Sequence, residues 1–314
     1  MVKILISEKI DSVCQSIFEE AGFQVDVKPG LTAEELLTVI GGYEGLVVRS
    51  ATKVTAEVLE KGVKLKVVGR AGAGVDTIDV AAASSRKVLV MNTPGQNANA
   101  VAELVMGMMF ALVRHVVTGC VGLREGRWEK KNLSGTELLN KSIGIIGYGA
   151  IGRRLGSMAQ GIGMTVLATD PFLNENQIRA GGAKLSTFDE IISSCDFISL
   201  HLPKTPETTG MINKDVLAKM KPSAVLINCA RGGLVDENAL AEALKGGKLA
   251  GAAMDVFEQE PPAAGNPLLS LPNFIGTPHI GASTEEAQVN VAVAIAKQMV
   301  AYFKEGATTG AVNA

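Results

Sequence analysis

The chain has 314 residues, 47% of them apolar and 20% charged, and its 30 Lys plus Arg against 32 Asp plus Glu give a net charge of −2. That composition excludes a disordered chain, and without a basic excess it offers no electrostatic footprint for nucleic acid. At about 100–200 residues per domain, the length accommodates two domains.

Short β-branched runs alternate with helix-length segments. Residues 3–6, 24–27, 45–48, 65–68 and 87–91 predict a first set of strands. Helix signals lie between them, such as the capping-box pattern Thr32-Ala-Glu-Glu. Residues 99–112 predict an uninterrupted apolar helix. A second set of strands is predicted at 142–146, 164–168, 197–200, 224–228, 249–255 and 274–277, and a last helix at 284–303. Short strands separated by helical crossovers imply parallel sheets. The fold class expected is α/β, with two doubly wound parallel-sheet domains around a cleft. Residues 1–96 would form the first, 97–283 the second, and 284–314 a helix returning to the first.

The N-terminus MVKILISEKI runs straight into a strand, so no signal peptide is expected. The longest apolar stretch, 104–113, is about half of a membrane span, and no membrane partner is expected. Cys14, Cys120, Cys195 and Cys229 lie far apart and read as a reduced, cytoplasmic set. With three histidines and no zinc pattern, no metal is expected.

The strongest local signal is Gly147-Tyr-Gly-Ala-Ile-Gly152, between an apolar run and a helical pattern. Gly147 suits a tight turn, Gly149 a close approach of pyrophosphate, and Gly152 close helix–strand packing. The helix start at Ala150 and Ile151 offers N–H donors to phosphate. Asp170 ends the next apolar run, where an acid bonds ribose hydroxyls and favours NAD over NADP. Three more segments follow strands: Asn228-Cys-Ala-Arg-Gly-Gly233, Asp255-Val-Phe-Glu-Gln-Glu260-Pro-Pro and Thr277-Pro-His279-Ile-Gly-Ala-Ser. Arg231, an acid of the 255–260 segment and His279 together offer an anion holder, a carboxylate and a proton carrier. Cys229 reads as packing, with no base to activate it. His115 reads as a structural residue on an apolar helix face, and the charged run 124–131 as a solvated stretch or a dimer edge.

Together these four segments resemble the D-2-hydroxyacid dehydrogenase family. VVRSATKVT at 47–55, VGRAGAGVD at 68–76, MNTP at 91–94, GTEL at 135–138 and GAVNA at 310–314 are similar to its phosphoglycerate dehydrogenase branch. The resemblance covers the whole chain, and many members of that branch continue past the position of Ala314 into regulatory domains. It implies a flavodoxin-like substrate domain, a Rossmann domain and NAD as cofactor. Arg231 would hold the substrate carboxylate, His279 would take the 2-hydroxyl proton, and Glu260 would orient His279. His201, Leu202, Pro203, Thr208, Cys229, Ala230, Asp255 and Gly281 would line the cofactor, with Asp255 at the carboxamide. Loop 71–75, with Ala73 and Gly74, would cradle the carboxylate. Arg49, Ser50, Arg70 and Asn97 would hold the phosphate end. Lys130 stands where several relatives carry an arginine that reaches a neighbouring subunit.

The activity implied is NAD-dependent oxidation of 3-phosphoglycerate, the first step of phosphorylated serine biosynthesis, by a homodimer or tetramer. One rival is a glyoxylate or hydroxypyruvate reductase of the same family, which would not need Arg49 with Arg70. A second, of another class, is an NAD-sensing interaction protein like the family's corepressors. Formate dehydrogenases of this fold pair the histidine with an amide, where this chain has Glu260.

Overall fold

The computed structural model describes all 314 residues. The chain divides into two compact units, Met1–Asn97 with Ser283–Ala314, and Ala98–Ala282.

The first unit runs β1 (Lys3–Ile6), α1 (Val13–Glu20), β2 (Gln24–Val27), α2 (Ala33–Val39), β3 (Gly45–Val48), α3 (Ala56–Lys61), β4 (Val67–Arg70), α4 (Val80–Ser85) and β5 (Leu89–Met91). Its five strands are all parallel, in the order β2-β1-β3-β4-β5. Such an order requires crossover helices, and the caps supply their starts. The Thr32 side chain accepts from Glu35 N–H while the Glu35 side chain accepts from Thr32 N–H, a reciprocal capping box. Thr55 and Asp79 cap α3 and α4 in the simpler way.

The second unit begins with α5 (Ala98–Val113) and α6 (Val116–Arg124). It continues β6 (Ser142–Ile146), α7 (Ala150–Gly161), β7 (Thr165–Thr169), α8 (Glu175–Ala180), β8 (Lys184–Leu185), α9 (Phe188–Ser194) and β9 (Phe197–Leu200). Then come α10 (Lys214–Lys219), β10 (Val225–Asn228), α11 (Glu237–Lys245), β11 (Gly251–Met254) and β12 (Phe274–Gly276). Its seven parallel strands lie in the order β12-β11-β10-β9-β6-β7-β8. Strands β9, β10 and β11 are buried along their whole length, as a sheet covered by helices on both faces requires. Helix α5 covers one face through Val101, Val105, Met108 and Met109, all buried in the core with Ile143, Ile145 and Ile227.

The last helix, α12 (Glu285–Glu305), belongs to the first unit. Its buried stripe of Val291, Ala292, Ile295, Ala296 and Met299 packs with Ile4, Ile6, Val47 and Val67. No single helix of the chain is long and apolar enough to cross a membrane.

Several elements differ from expectation. β4 lies two residues beyond the apolar run that predicts it. β8 has two exposed residues and no pattern of its own. His115 does not sit on a helix face. It adopts a left-handed φ of +53° at the break between α5 and α6, and its Nε2 lies 3.2 Å from the Ser134 carbonyl oxygen. The charged stretch 124–131 is largely exposed, as expected of a solvated run, and its first residue, Arg124, ends α6.

Candidate active site

In each parallel sheet the carboxyl ends of the strands share one edge, where ligands bind in doubly wound folds. In the second unit this edge gathers the turn after β6, the end of β7, and the segments after β9, β10, β11 and β12.

The turn after β6 is built by close backbone approach. Gly147 has φ +92°, and a Cβ there would lie 2.3 Å from the His201 carbonyl oxygen, so only glycine fits. Gly147 N–H donates to the Thr169 carbonyl at 2.9 Å, and His201 N–H donates to the Ile146 carbonyl at 2.7 Å. A Cβ on Gly152 would meet the Gly147 carbonyl oxygen at 2.4 Å, while the Cα of Gly149 faces open space. No side chain caps Gly149 at the start of α7. The start of α7, without a side-chain cap and with open space beside Gly149, is thus a cradle suited to an anionic pyrophosphate.

Asp170 is fixed beside this turn. Its Oδ2 accepts the Tyr148 N–H at 2.8 Å and its Oδ1 the Phe172 N–H at 2.9 Å. Each oxygen keeps a second lone pair, which is what two ribose hydroxyls would use. On the far side, His201 shares a 2.9 Å hydrogen bond between Nε2 and Ser199 Oγ, while its buried Nδ1 has no partner. Burial pushes the imidazole down to about 4, so it is neutral at ordinary pH. Leu202 and Pro203 follow it, and Thr208 closes the loop by donating its hydroxyl to the Pro203 carbonyl at 2.8 Å. An open cradle, a locked acid and an orphaned buried nitrogen fit a dinucleotide.

Arg231 is presented by a turn that Asn228 ties. The wholly buried Asn228 amide accepts the Ala230 N–H at 3.1 Å and donates to the Arg231 carbonyl at 2.9 Å. The half-buried Arg231 donates from Nη1 to the Ala230 carbonyl at 2.6 Å. Gly232 then passes so close to the neighbouring segment that a Cβ would lie 1.8 Å from the Phe257 carbonyl oxygen. Cys229 is buried, its thiol 3.7 Å from the Met108 sulfur, and burial raises its pKa well above the ordinary thiol range. An inert packing thiol follows.

His279 stands on the turn after β12 with φ +54°. Its Nδ1 lies 2.7 Å from Glu260 Oε2, and Glu260 Oε1 accepts the Phe257 N–H at 3.1 Å. Both side chains remain open to solvent on their outer sides. Asp255 is 1% exposed and serves as a strut for this turn. Its Oδ1 accepts the Thr277 hydroxyl at 2.6 Å and the Ile280 N–H at 2.8 Å, and its Oδ2 accepts the Gly281 N–H at 2.7 Å.

In the first unit, Arg49 follows β3 and Arg70 ends β4, on adjacent strands paired Val48 to Arg70. Arg70 Nε donates to the Arg49 carbonyl at 3.1 Å. Glu8 holds the Arg49–Ser50 segment by accepting N–H groups from Arg49 at 2.7 Å, Thr52 at 2.9 Å and Ala51 at 3.1 Å. Burial alone would raise its pKa, yet these bonds hold it below the usual carboxylate value. The loop with Ala73 and Gly74 is tied by Gly72 N–H donating to Thr93 Oγ1 at 2.9 Å and Asn92 Nδ2 donating to the Ala73 carbonyl at 2.5 Å. Asn97 Oδ1 is buried without a partner.

Sequence reasoning missed Glu8, Asn228 and Glu237. Asn228 carried a signal, as the one polar residue in the run AVLINCA. Glu8 and Glu237 carried none, since their partners lie 21 to 44 positions away.

An open dinucleotide cradle and an Arg–Glu–His set on one edge of a seven-stranded parallel sheet define a class, the Rossmann-type oxidoreductases. Comparison with known proteins narrows it. Residues 106–281 match the D-isomer specific 2-hydroxyacid dehydrogenase, NAD binding domain, and the chain belongs to that family. It is 46% identical over 299 residues to a Synechocystis D-3-phosphoglycerate dehydrogenase, covering 95% of this chain and 54% of that protein. A solved NAD+-bound 3-phosphoglycerate dehydrogenase from Entamoeba histolytica is 32% identical with a TM-score of 0.85, over 100% of this chain and 99% of that one. A glyoxylate reductase from Paecilomyes thermophila is 27% identical with a TM-score of 0.90, over 99% and 98%. The chain spans between 54% and 60% of the length of the curated relatives from Synechocystis and Methanocaldococcus jannaschii.

Proposed function

We infer that the protein is an NAD-dependent D-2-hydroxyacid dehydrogenase that oxidises 3-phosphoglycerate to 3-phosphohydroxypyruvate, the first step of phosphorylated serine biosynthesis. The observation that carries the chemistry is the 2.7 Å pair of His279 Nδ1 and Glu260 Oε2. With Nδ1 donating to the carboxylate, Nε2 holds the lone pair that takes the proton of the 2-hydroxyl. Arg231 pairs with the substrate carboxylate through its planar fork. Bound NAD supplies the hydride acceptor. Asp170 binds the ribose hydroxyls, and the first-turn amides of α7 bind the pyrophosphate.

The phosphate assignment rests on the first unit. Arg49 lies just past β3 and Arg70 ends the neighbouring β4 there, as the substrate's phosphate would require. It is supported by relatives named for 3-phosphoglycerate at about half identity. The proposed setting is the cytoplasm, where four free cysteines are stable, and the proposed assembly is a homodimer. NAD reduction across a panel of 2-hydroxy acids tests the reading. Highest kcat/KM with 3-phosphoglycerate supports it. Preference for glycolate or glycerate selects the glyoxylate or hydroxypyruvate reductase reading, and binding of NAD without turnover selects the NAD-sensing one.

A further inference from the structure

Glu237 is a buried acid to which the chemistry above gives no part. It opens α11 and is 7% exposed. An acid in the first turn of a helix ordinarily faces water and answers the helix dipole, as the exposed Glu175 does at the start of α8. Glu237 turns inward. Its Oε1 accepts the Glu258 N–H at 2.6 Å, and its Oε2 accepts from Asn266 Nδ2 at 2.5 Å. Asn266 in turn accepts the Leu268 N–H through Oδ1 at 3.0 Å.

Residues 258 and 266 bracket the irregular segment that carries Glu260. One carboxylate therefore grips that segment at both ends. Just ahead of it, the close contact of Gly232 with the Phe257 carbonyl presses the two backbones together, and Phe257 N–H holds Glu260 itself. The stretch 231–237 thus presents Arg231 at one end and anchors the Glu260 segment at the other.

We propose that Glu237 is a positioning residue for the reaction: by clamping both ends of the 258–266 segment, its carboxylate sets the place of Glu260 against His279. The proposal rests on the dehydrogenase reading for its effect on turnover. Its clamp stands on geometry alone.

The donor pattern supplies a specific test. Glu237→Gln turns an amide N–H toward an N–H donor, so one end of the clamp is lost. Asn266→Asp sets a carboxylate against a carboxylate. In the double variant Glu237→Gln with Asn266→Asp, the introduced amide donates to the introduced carboxylate. The Glu258 N–H and Leu268 N–H both keep acceptors, and the net charge is unchanged. Each single variant should speed amide hydrogen exchange over 258–268 and lower kcat with 3-phosphoglycerate by about 10- to 100-fold, the scale of a small misplacement. The dissociation constant of NAD should stay unchanged, because the α7 turn is untouched. The double variant should restore both exchange and kcat. A merely structural role would not give this split or this rescue. Single variants with parental kcat, or a folded double variant with low kcat, would overturn the proposal. If the single variants do not fold, the double variant still decides. Exchange that responds to neither single variant overturns the clamp whether or not the parent turns over. A parent that oxidises no 2-hydroxy acid overturns the functional reading, and with it the effect of the clamp on turnover.

Discussion

Glu260 is held from two sides: Oε2 lies 2.7 Å from His279 Nδ1, and Oε1 accepts the Phe257 N–H at 3.1 Å. The carboxylate is thereby anchored to backbone and can aim the imidazole. His279→Ala removes the proposed proton carrier and should lower kcat by about 10²–10⁴-fold. NAD affinity should be retained, because the α7 cradle and Asp170 lie on other strands. Glu260→Gln keeps the shape and should cost less than His279→Ala. Steady-state kinetics with a parallel NAD titration check this, and an alanine variant with parental kcat would take His279 out of the reaction.

Asp170 accepts two backbone N–H groups, so its charge is locked at the end of β7. A 2′-phosphate at this carboxylate would meet a fixed negative charge. NAD should be preferred over NADP by at least about one order of magnitude, the scale of about 1–3 kcal/mol. Asp170→Asn keeps an acceptor for the Tyr148 N–H and removes the charge, and it should shrink the preference. Equal kcat/KM for the two cofactors in the parent would refute the assignment.

What the sequence shows of this edge is what short-range signals carry. Gly147, Gly149 and Gly152 are legible because a turn between strand and helix needs them in a fixed spacing. Asp170, Arg231 and His279 are legible as polar residues just past apolar runs, whereas only the family resemblance picks Glu260 out from Asp255 and Glu258. β4 is misplaced because Gly69 and Arg70 do not look like strand residues, yet they pair in register with Val47 and Val48. α6 is missed because two glycines and four valines or threonines give it poor helix propensity. His115, in a left-handed conformation, hides its start. Glu8 and Glu237 are invisible for a different reason. Their role exists only once segments distant in sequence are packed together, and no local pattern sets either acid apart from its solvated neighbours.

Arg49 and Arg70 offer a test of substrate. Arg49→Ala and Arg70→Ala should each raise KM for 3-phosphoglycerate far more than for D-glycerate. A lost charge-assisted hydrogen bond is worth about 1.5–3 kcal/mol, or about 10- to 100-fold. Arg70 Nε also supports the Arg49 carbonyl, so its variant should be the more severe. Equal weakening for both acids would make the arginines structural and remove the phosphorylated substrate.

Helix α6 leaves Val116, Val117, Val121 and Leu123 exposed at 56%, 46%, 41% and 61%, a strip that a lone subunit would show to water. In the proposed homodimer this strip is covered. Val117→Glu combined with Leu123→Glu should give a monomer by light scattering while the parent is a dimer. A monomeric parent at micromolar concentration would refute the assembly.

Acid should weaken the fold through His201. Burial pushes His201 down from an ordinary 6.5 to about 4. The unfolded chain takes up this proton below about pH 6.5, whereas the folded chain resists it until about pH 4. The unfolded state therefore binds more protons in that window. The contribution is fully present above pH 6.5 and is lost as pH falls toward 4. At pH 5 the loss should amount to at most about 2 kcal/mol. His201→Gln keeps a hydrogen-bonding group toward Ser199 without a titrating proton. Urea unfolding at pH 7 and pH 5 should show a smaller fall in midpoint for the variant than for the parent. Identical falls would mean that the His201 ring takes up its proton in the folded protein as freely as in the unfolded chain.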